Sequence, residues 1–318
     1  MAVNAGRCVD LLGVASGLGG ADPACAQAPA RLAAGGLEAR LLAGGIEARW
    51  AETLVPRRDG RGVRRAVAQL CARLAARVAE SIRAGRLPCV IGGDHSCAVG
   101  TWSGAARAHG PLGLVWLDAH MDAHTDGTSP SGRLHGMPLA ALLGQCDGAL
   151  DGLQDGALAP RHVCLVGVRS FEAPEAALLE RLGVRVYGIE DVQRRGLERV
   201  LEDARAIAND GTSGYGVSID LDVLDPHEAV AVATPAPFGL RGDELARALG
   251  AVGRDARLVA FELAEYCPRL DRDGATERLI GKLLVAALGG RAHEAQPASA
   301  SAGARQDAEI LPEPLEAK

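Results

Sequence analysis

Gly113-Leu-Val-Trp-Leu-Asp-Ala-His-Met-Asp-Ala-His-Thr125 sets an apolar run of strand length directly before alternating Asp and His residues. A run that is apolar throughout reads as a strand buried on both faces, and the charged residues begin where it must end. The pattern recurs twice. Pro88-Cys-Val-Ile91 leads into Gly92-Gly-Asp-His-Ser96, and Gly216-Val-Ser-Ile-Asp220 leads into Leu221-Asp-Val-Leu-Asp-Pro226. In open parallel sheets ligands bind outside the carboxyl ends of the strands, so all three clusters point toward one crevice.

The rest of the chain supports such a sheet. Further strand candidates lie at 8–14, 162–168, 184–187 and 258–262, beside 88–91, 113–118 and 216–220. Between them apolar residues recur every three or four positions, as at Val63, Val67, Leu70, Leu74 and Val78 within 62–84. That spacing marks one face of a helix, and 239–252 and 276–288 read the same way. Buried strands separated by helices predict an α/β fold, with a mostly parallel sheet covered on both faces. No linker of Pro, Gly and Ser divides the chain, so one domain is expected over 1–288. From 289 the composition turns to Ala, Ser, Glu, Gln and Pro, which predicts a tail that is disordered or reaches a neighbouring subunit.

Composition excludes several functions. The 318 residues carry a net charge of −6 and only 3% aromatics, so neither a basic stripe nor a stacking platform is available for nucleic acid. The eight cysteines form no C-x-x-C pair, and a chain of this size does not depend on disulfides, so a reducing compartment is expected. No apolar run is long enough to span a membrane and no signal segment opens the chain, which makes the cytoplasm the expected location.

Residue types and spacing at the clusters carry the chemistry. Alternate residues of an extended chain face one way, so Asp118, His120, Asp122 and His124 can converge, as can Asp220 and Asp222. With His95 added, so many carboxylates in one crevice require cations. Two divalent ions bridged by carboxylates meet that need. Imidazole and carboxylate ligands without thiolate suit manganese, nickel, iron or zinc better than calcium. A lone D-x-H-x-D could be a capped loop, Asp225-Pro226 reads as a turn, and Gly92-Gly93 alone would carry no specificity. Their joint occurrence at three strand ends is what points to a metal centre.

Together Gly92–Ser96 (G-G-D-H-S), Asp118–Asp122 (D-A-H-x-D) and Ser218–Pro226 (S-x-D-x-D-x-x-D-P) resemble the three signatures of the arginase/agmatinase ureohydrolase family, in order. The resemblance implies a three-layer α/β/α sandwich, two manganese ions per subunit and a homotrimer or homohexamer. His95, Asp118, Asp122 and Asp220 resemble the ligands of one ion. Asp118, His120, Asp220 and Asp222 resemble those of the other, with Asp118 and Asp220 bridging. The implied reaction is attack of a metal-bridging hydroxide on the carbon of a small guanidino substrate, giving urea and an amine.

Further matches imply an arginase acting on L-arginine. Ser129-Pro-Ser-Gly-Arg-Leu-His-Gly136 resembles the loop that assigns Ser131 to the substrate carboxylate and His135 to proton shuttling. Glu265-Tyr-Cys-Pro268 resembles E-x-N-P, whose glutamate takes two parallel hydrogen bonds from the guanidinium. Glu262 is the competing candidate for that role, and the spacing to Pro268 favours Glu265. Gly167-Val-Arg-Ser-Phe-Glu172 resembles the segment holding the substrate α-amino group, which points to Glu172, although a helix-start glutamate reads equally well there. The chain departs from the family pattern with His124 and Arg133, each in place of an asparagine near the carboxylate, and with Cys267 in E-x-N-P. An inward Arg133 would suit another guanidino or formimino acid, such as 4-guanidinobutanoate or formiminoglutamate. Agmatine, which has no carboxylate, would suit it poorly.

Overall fold

A computed structural model describes residues 8–57, 60–146 and 158–291; of the expected tail, 292–318 lies outside the described residues. Eight parallel strands form one sheet. They are β1 (Val9–Val14), β2 (Ala48–Leu54), β3 (Leu87–Ile91), β4 (Leu112–Leu117), β5 (Val163–Val168), β6 (Arg185–Gly188), β7 (Gly214–Asp220) and β8 (Leu258–Ala264). Their order across the sheet is β2-β1-β3-β8-β7-β4-β5-β6.

Strand alternation sorts side chains into two cores. From β4, Val115 and Leu117 join one cluster, while Leu114 and Trp116 join the other. The first core packs against α1 (Ala28–Ala34), α2 (Leu37–Ala43), α7 (Ile189–Arg195), α8 (Leu197–Asn209), α9 (Gly242–Gly253) and α10 (Ala275–Ala287). The second packs against α3 (Val63–Arg83), α4 (Ala98–His109), α5 (Pro138–Leu142) and α6 (Ala173–Leu182). Helices on both faces make the expected three layers.

Seven strands follow the expected positions, and α3, α9 and α10 match the periodic stretches. The sequence reading lacked β2. This edge strand is only half-buried and carries Arg49, Glu52 and Thr53, so it shows neither an apolar run nor clean alternation.

Candidate metal centre and active site

The three strands that end in the clusters, β3, β7 and β4, stand in the middle of the sheet, with β8 between β3 and β7. After β3 the chain turns at Gly92-Gly93 into a 3-10 turn at His95–Cys97. The Asp94 carboxylate caps that turn, accepting from the backbone N–H of Ser96 and of Gly19, both at 3.1 Å. Gly93 is required by close approach, since a Cβ there would stand 1.9 Å from the carbonyl oxygen of Ser16. His95 is thereby held, fully buried, over the end of the sheet.

Beyond β4, Asp118 is fixed from two sides. Its Oδ1 accepts from the His120 N–H at 2.7 Å, and its Oδ2 accepts from the indole N–H of Trp116 at 2.8 Å. Trp116 also stacks on His95 with ring centroids 4.3 Å apart. Beyond β7, Asp220 accepts from the Asp222 N–H at 2.9 Å, and Asp222 accepts from the Ala119 N–H at 3.2 Å. Each ligand loop is thus braced by its own carboxylates.

Two clusters result. Ligand atoms of His95, Asp118, Asp122 and Asp220 lie within 4.8 Å of one another, as do those of Asp118, His120 and Asp222. Asp118 belongs to both. Asp220 joins the first cluster and not the second, so its bridging role is not apparent in this arrangement.

His124 does not converge with Asp118, His120 and Asp122. Asp122 has φ +50°, which ends the extended alternation and turns the following residues away. His124 instead meets Glu172 at 3.0 Å and Glu175 at 3.4 Å, a third His/Glu group. Glu172 is also the N-cap of α6, in a capping box with Glu175. The helix-start reading of Glu172 is therefore correct, and its carboxylate faces His124 as well.

The chemistry of the donor set fits divalent cations. His95 Nδ1 lies 3.1 Å from Asp122 Oδ2, 3.2 Å from Asp220 and 3.5 Å from Asp118. Nδ1 and Asp122 Oδ2 are both buried without a hydrogen-bond partner among the described residues. Burial opposes charge on His95, yet the three aspartates override it and hold the ring well toward protonation. His120 behaves alike: burial opposes its charge, and Asp118 and Asp222 push its pKa up to about 12. Burial and the neighbouring Asp118 charge raise Asp122 to about 7. Positive charge is wanted at both positions, and bound cations can replace the protons.

Glu265 follows β8 with φ +66°, a strained conformation of the kind found at functional sites. Its Oε1 accepts from the His95 N–H at 2.8 Å and lies 3.1 Å from His135 Nδ1. Glu262 lies one layer behind, fully buried, with its Oε1 3.7 Å from His95 Nε2. Of the two candidates, Glu265 is the one brought to His135. Ser131 and Arg133 are exposed in the loop before His135, and Ser131 Oγ accepts from the Arg133 N–H at 3.3 Å.

Sequence reasoning missed Trp116, Ser218, Glu175 and Arg169. Trp116 stands two residues before Asp118 on the same strand face, a signal that was available. The Arg169 guanidinium donates to six backbone carbonyls, those of Gly167, Asp222, Val223, Leu224, Ala236 and Pro237. It thereby ties the Asp222 loop to the end of β5. Nothing in local spacing announces such a contact.

Residues 9–289 match the family model described as Arginase family. The arginase of Bacillus caldovelox is 39% identical over 227 residues, covering 71% of this chain and 76% of that protein. Its solved native structure superposes with a TM-score of 0.84 at 33% identity, covering 90% of this chain and 99% of that one. The arginase of Entamoeba histolytica, solved in complex with L-ornithine, gives a TM-score of 0.83 at 25% identity over 89% of this chain and 99% of that one. Matched by the family model over 9–289 and sharing the fold of solved arginases, the chain belongs to the arginase family of ureohydrolases.

Proposed function

We propose that this protein is an arginase, hydrolysing L-arginine to L-ornithine and urea with two manganese ions. The observation that carries the reading is Glu265 beside His135 at the mouth of two fused carboxylate–imidazole clusters. Two divalent ions, when bound, supply the charge that makes a water nucleophilic at neutral pH.

The protein's own groups do the rest. Glu265 presents a carboxylate whose flat geometry matches a guanidinium fork. His135, only partly exposed and paired with Glu265, is placed to carry a proton to the departing amine. Asp122 holds its cluster together and stands beside the reacting centre. At the outer end, Glu172, paired with His124 at 3.0 Å, offers a carboxylate to an α-ammonium group, and Ser131 in the exposed loop is assigned to the substrate carboxylate. The L-ornithine held by the Entamoeba relative supports this direction.

The alternative acids, 4-guanidinobutanoate and formiminoglutamate, depended on an inward Arg133, and its exposed position gives them no support. The proposal extends to one domain over 1–288, a homotrimer or homohexamer, and a cytoplasmic location. No helix among the described residues is long and apolar enough to cross a membrane.

Urea release from L-arginine, agmatine and 4-guanidinobutanoate, and formamide release from formiminoglutamate, measured after Mn2+ reconstitution, tests the assignment. Preference for L-arginine is expected. Turnover of another compound without turnover of arginine would overturn it.

A further inference from the structure

Glu262 carries a carboxylate that the proposed chemistry leaves unused. It projects from β8 toward α4, wholly buried, and its one ion-pair neighbour among the described residues is His95. A buried carboxylate without a firm cationic partner is costly, so its presence asks for a task.

The hydrogen bonds around it run in one direction. Oε1 accepts from the Ser218 hydroxyl at 2.8 Å, while Oε2 accepts from the Thr101 hydroxyl and from the Cys97 thiol at 3.7 Å. Ser218 Oγ in turn lies 2.9 Å from His95 Nε2. With its proton given to Glu262, Ser218 can only accept from His95. The ring must then carry hydrogen on Nε2 and turn the Nδ1 lone pair toward Asp118, Asp122 and Asp220.

A hydroxyl alone could not enforce this. It both donates and accepts, so an unpartnered Ser218 could give its proton to Nε2 and leave hydrogen on Nδ1, where it would exclude a metal. Glu262 has both carboxylate oxygens engaged as acceptors, from Ser218 on one side and from Thr101 and Cys97 on the other, and this removes the ambiguity. Stacking on Trp116 sets the plane of the ring, yet leaves open which nitrogen bears the hydrogen. We propose that Glu262 is a positioning residue which, through Ser218, fixes the tautomer of His95 and so prepares the first metal cluster. The inference rests on the two-cation reading of the site.

Mn2+ titration of the metal-free protein, followed by the EPR signal of the free ion, tests it without reference to catalysis. Wild type should take up two ions. Glu262→Leu and Ser218→Ala should each weaken one of them by about 10- to 100-fold and spare the other. Glu262→Gln, whose amide oxygen still accepts from Ser218, should restore most of the affinity. The Ser218→Ala/Glu262→Leu double variant should be no weaker than the worse single one, because both break one chain. Should Glu262→Leu fail to fold, Ser218→Ala carries the test. Unchanged affinity, equal loss at both sites, or additive losses would overturn the proposal. Wild type taking up no Mn2+ would overturn the two-cation reading and this inference together.

Discussion

Nδ1 of His135 stands 3.1 Å from Oε1 of Glu265, the oxygen that also holds the backbone of His95. One carboxylate oxygen therefore couples the proposed proton carrier to the turn that presents His95, a proposed metal ligand. Burial pulls the His135 pKa down, and the Glu265 charge overrides it, lifting the ring to about 9. At neutral pH His135 is thus an acid in waiting. His135→Asn should lower kcat by about 10²- to 10⁴-fold, the usual worth of a placed acid or base. Steady-state rates on L-arginine would show it, and a loss below tenfold would remove His135 from the chemistry.

The same pairing sets a pH dependence of stability. A pKa raised above the unfolded value contributes stability that is complete below about 6.5 and lost as pH climbs through about 9. The stability gap between the metal-free protein and its Glu265→Gln variant should therefore narrow from pH 6 to pH 10. Denaturant melts at both pH values would reveal a constant gap if the coupling were absent.

Asp118 serves both clusters, and Asp222 serves one. Asp118→Ala should abolish uptake of both cations, and Asp222→Ala should weaken one. Binding to the native state alone adds about 4 kcal/mol at a thousandfold excess over Kd, so a chelator should lower the melting temperature of wild type and leave Asp118→Ala unmoved.

Arg169 satisfies six carbonyls with one guanidinium. Arg169→Lys offers a point charge in place of a planar fork and cannot span them. Leaving partly buried carbonyls unpaired should cost on the order of 2 kcal/mol and loosen the His120/Asp222 cluster more than the His95 cluster. Urea unfolding together with metal titration would separate the two effects. Equal weakening of both clusters would deny the loop-specific role.

Glu172 should matter to substrates with an α-amino group. Glu172→Ala is expected to raise KM for L-arginine by about 10-fold or more, the worth of a hydrogen bond to a charged group, and to spare 4-guanidinobutanoate, which lacks that group. Parallel KM measurements decide. Equal effects on both compounds would leave Glu172 as a helix cap alone.

What the sequence could show depended on how local the cause was. Strand-end clusters were legible because an apolar run fixes where the chain leaves the sheet, and the ligands follow within a few residues. His124 was misplaced because one residue, Asp122, adopts positive φ and cancels the alternation written in the sequence. Arg133 was unreadable as inward or outward, since an exposed loop leaves no periodic trace. Glu262 and Glu265 differ by three positions in sequence. The turn after β8 is what puts one in the crevice and the other behind His95.

The strand order carries a consequence for how the protein comes into being. β4 and β7 are direct neighbours, so the Asp118/His120/Asp222 group can gather as soon as those two strands pair. β3 reaches β7 only through β8, the last strand among the described residues. His95 is synthesised well before β8 and joins its partners across the sheet only once that strand is in place. Pairing of β4 with β7 thus gathers aspartates before His95 arrives, and the cluster that needs His95 closes only when the sheet does. A cation there would certify a finished fold.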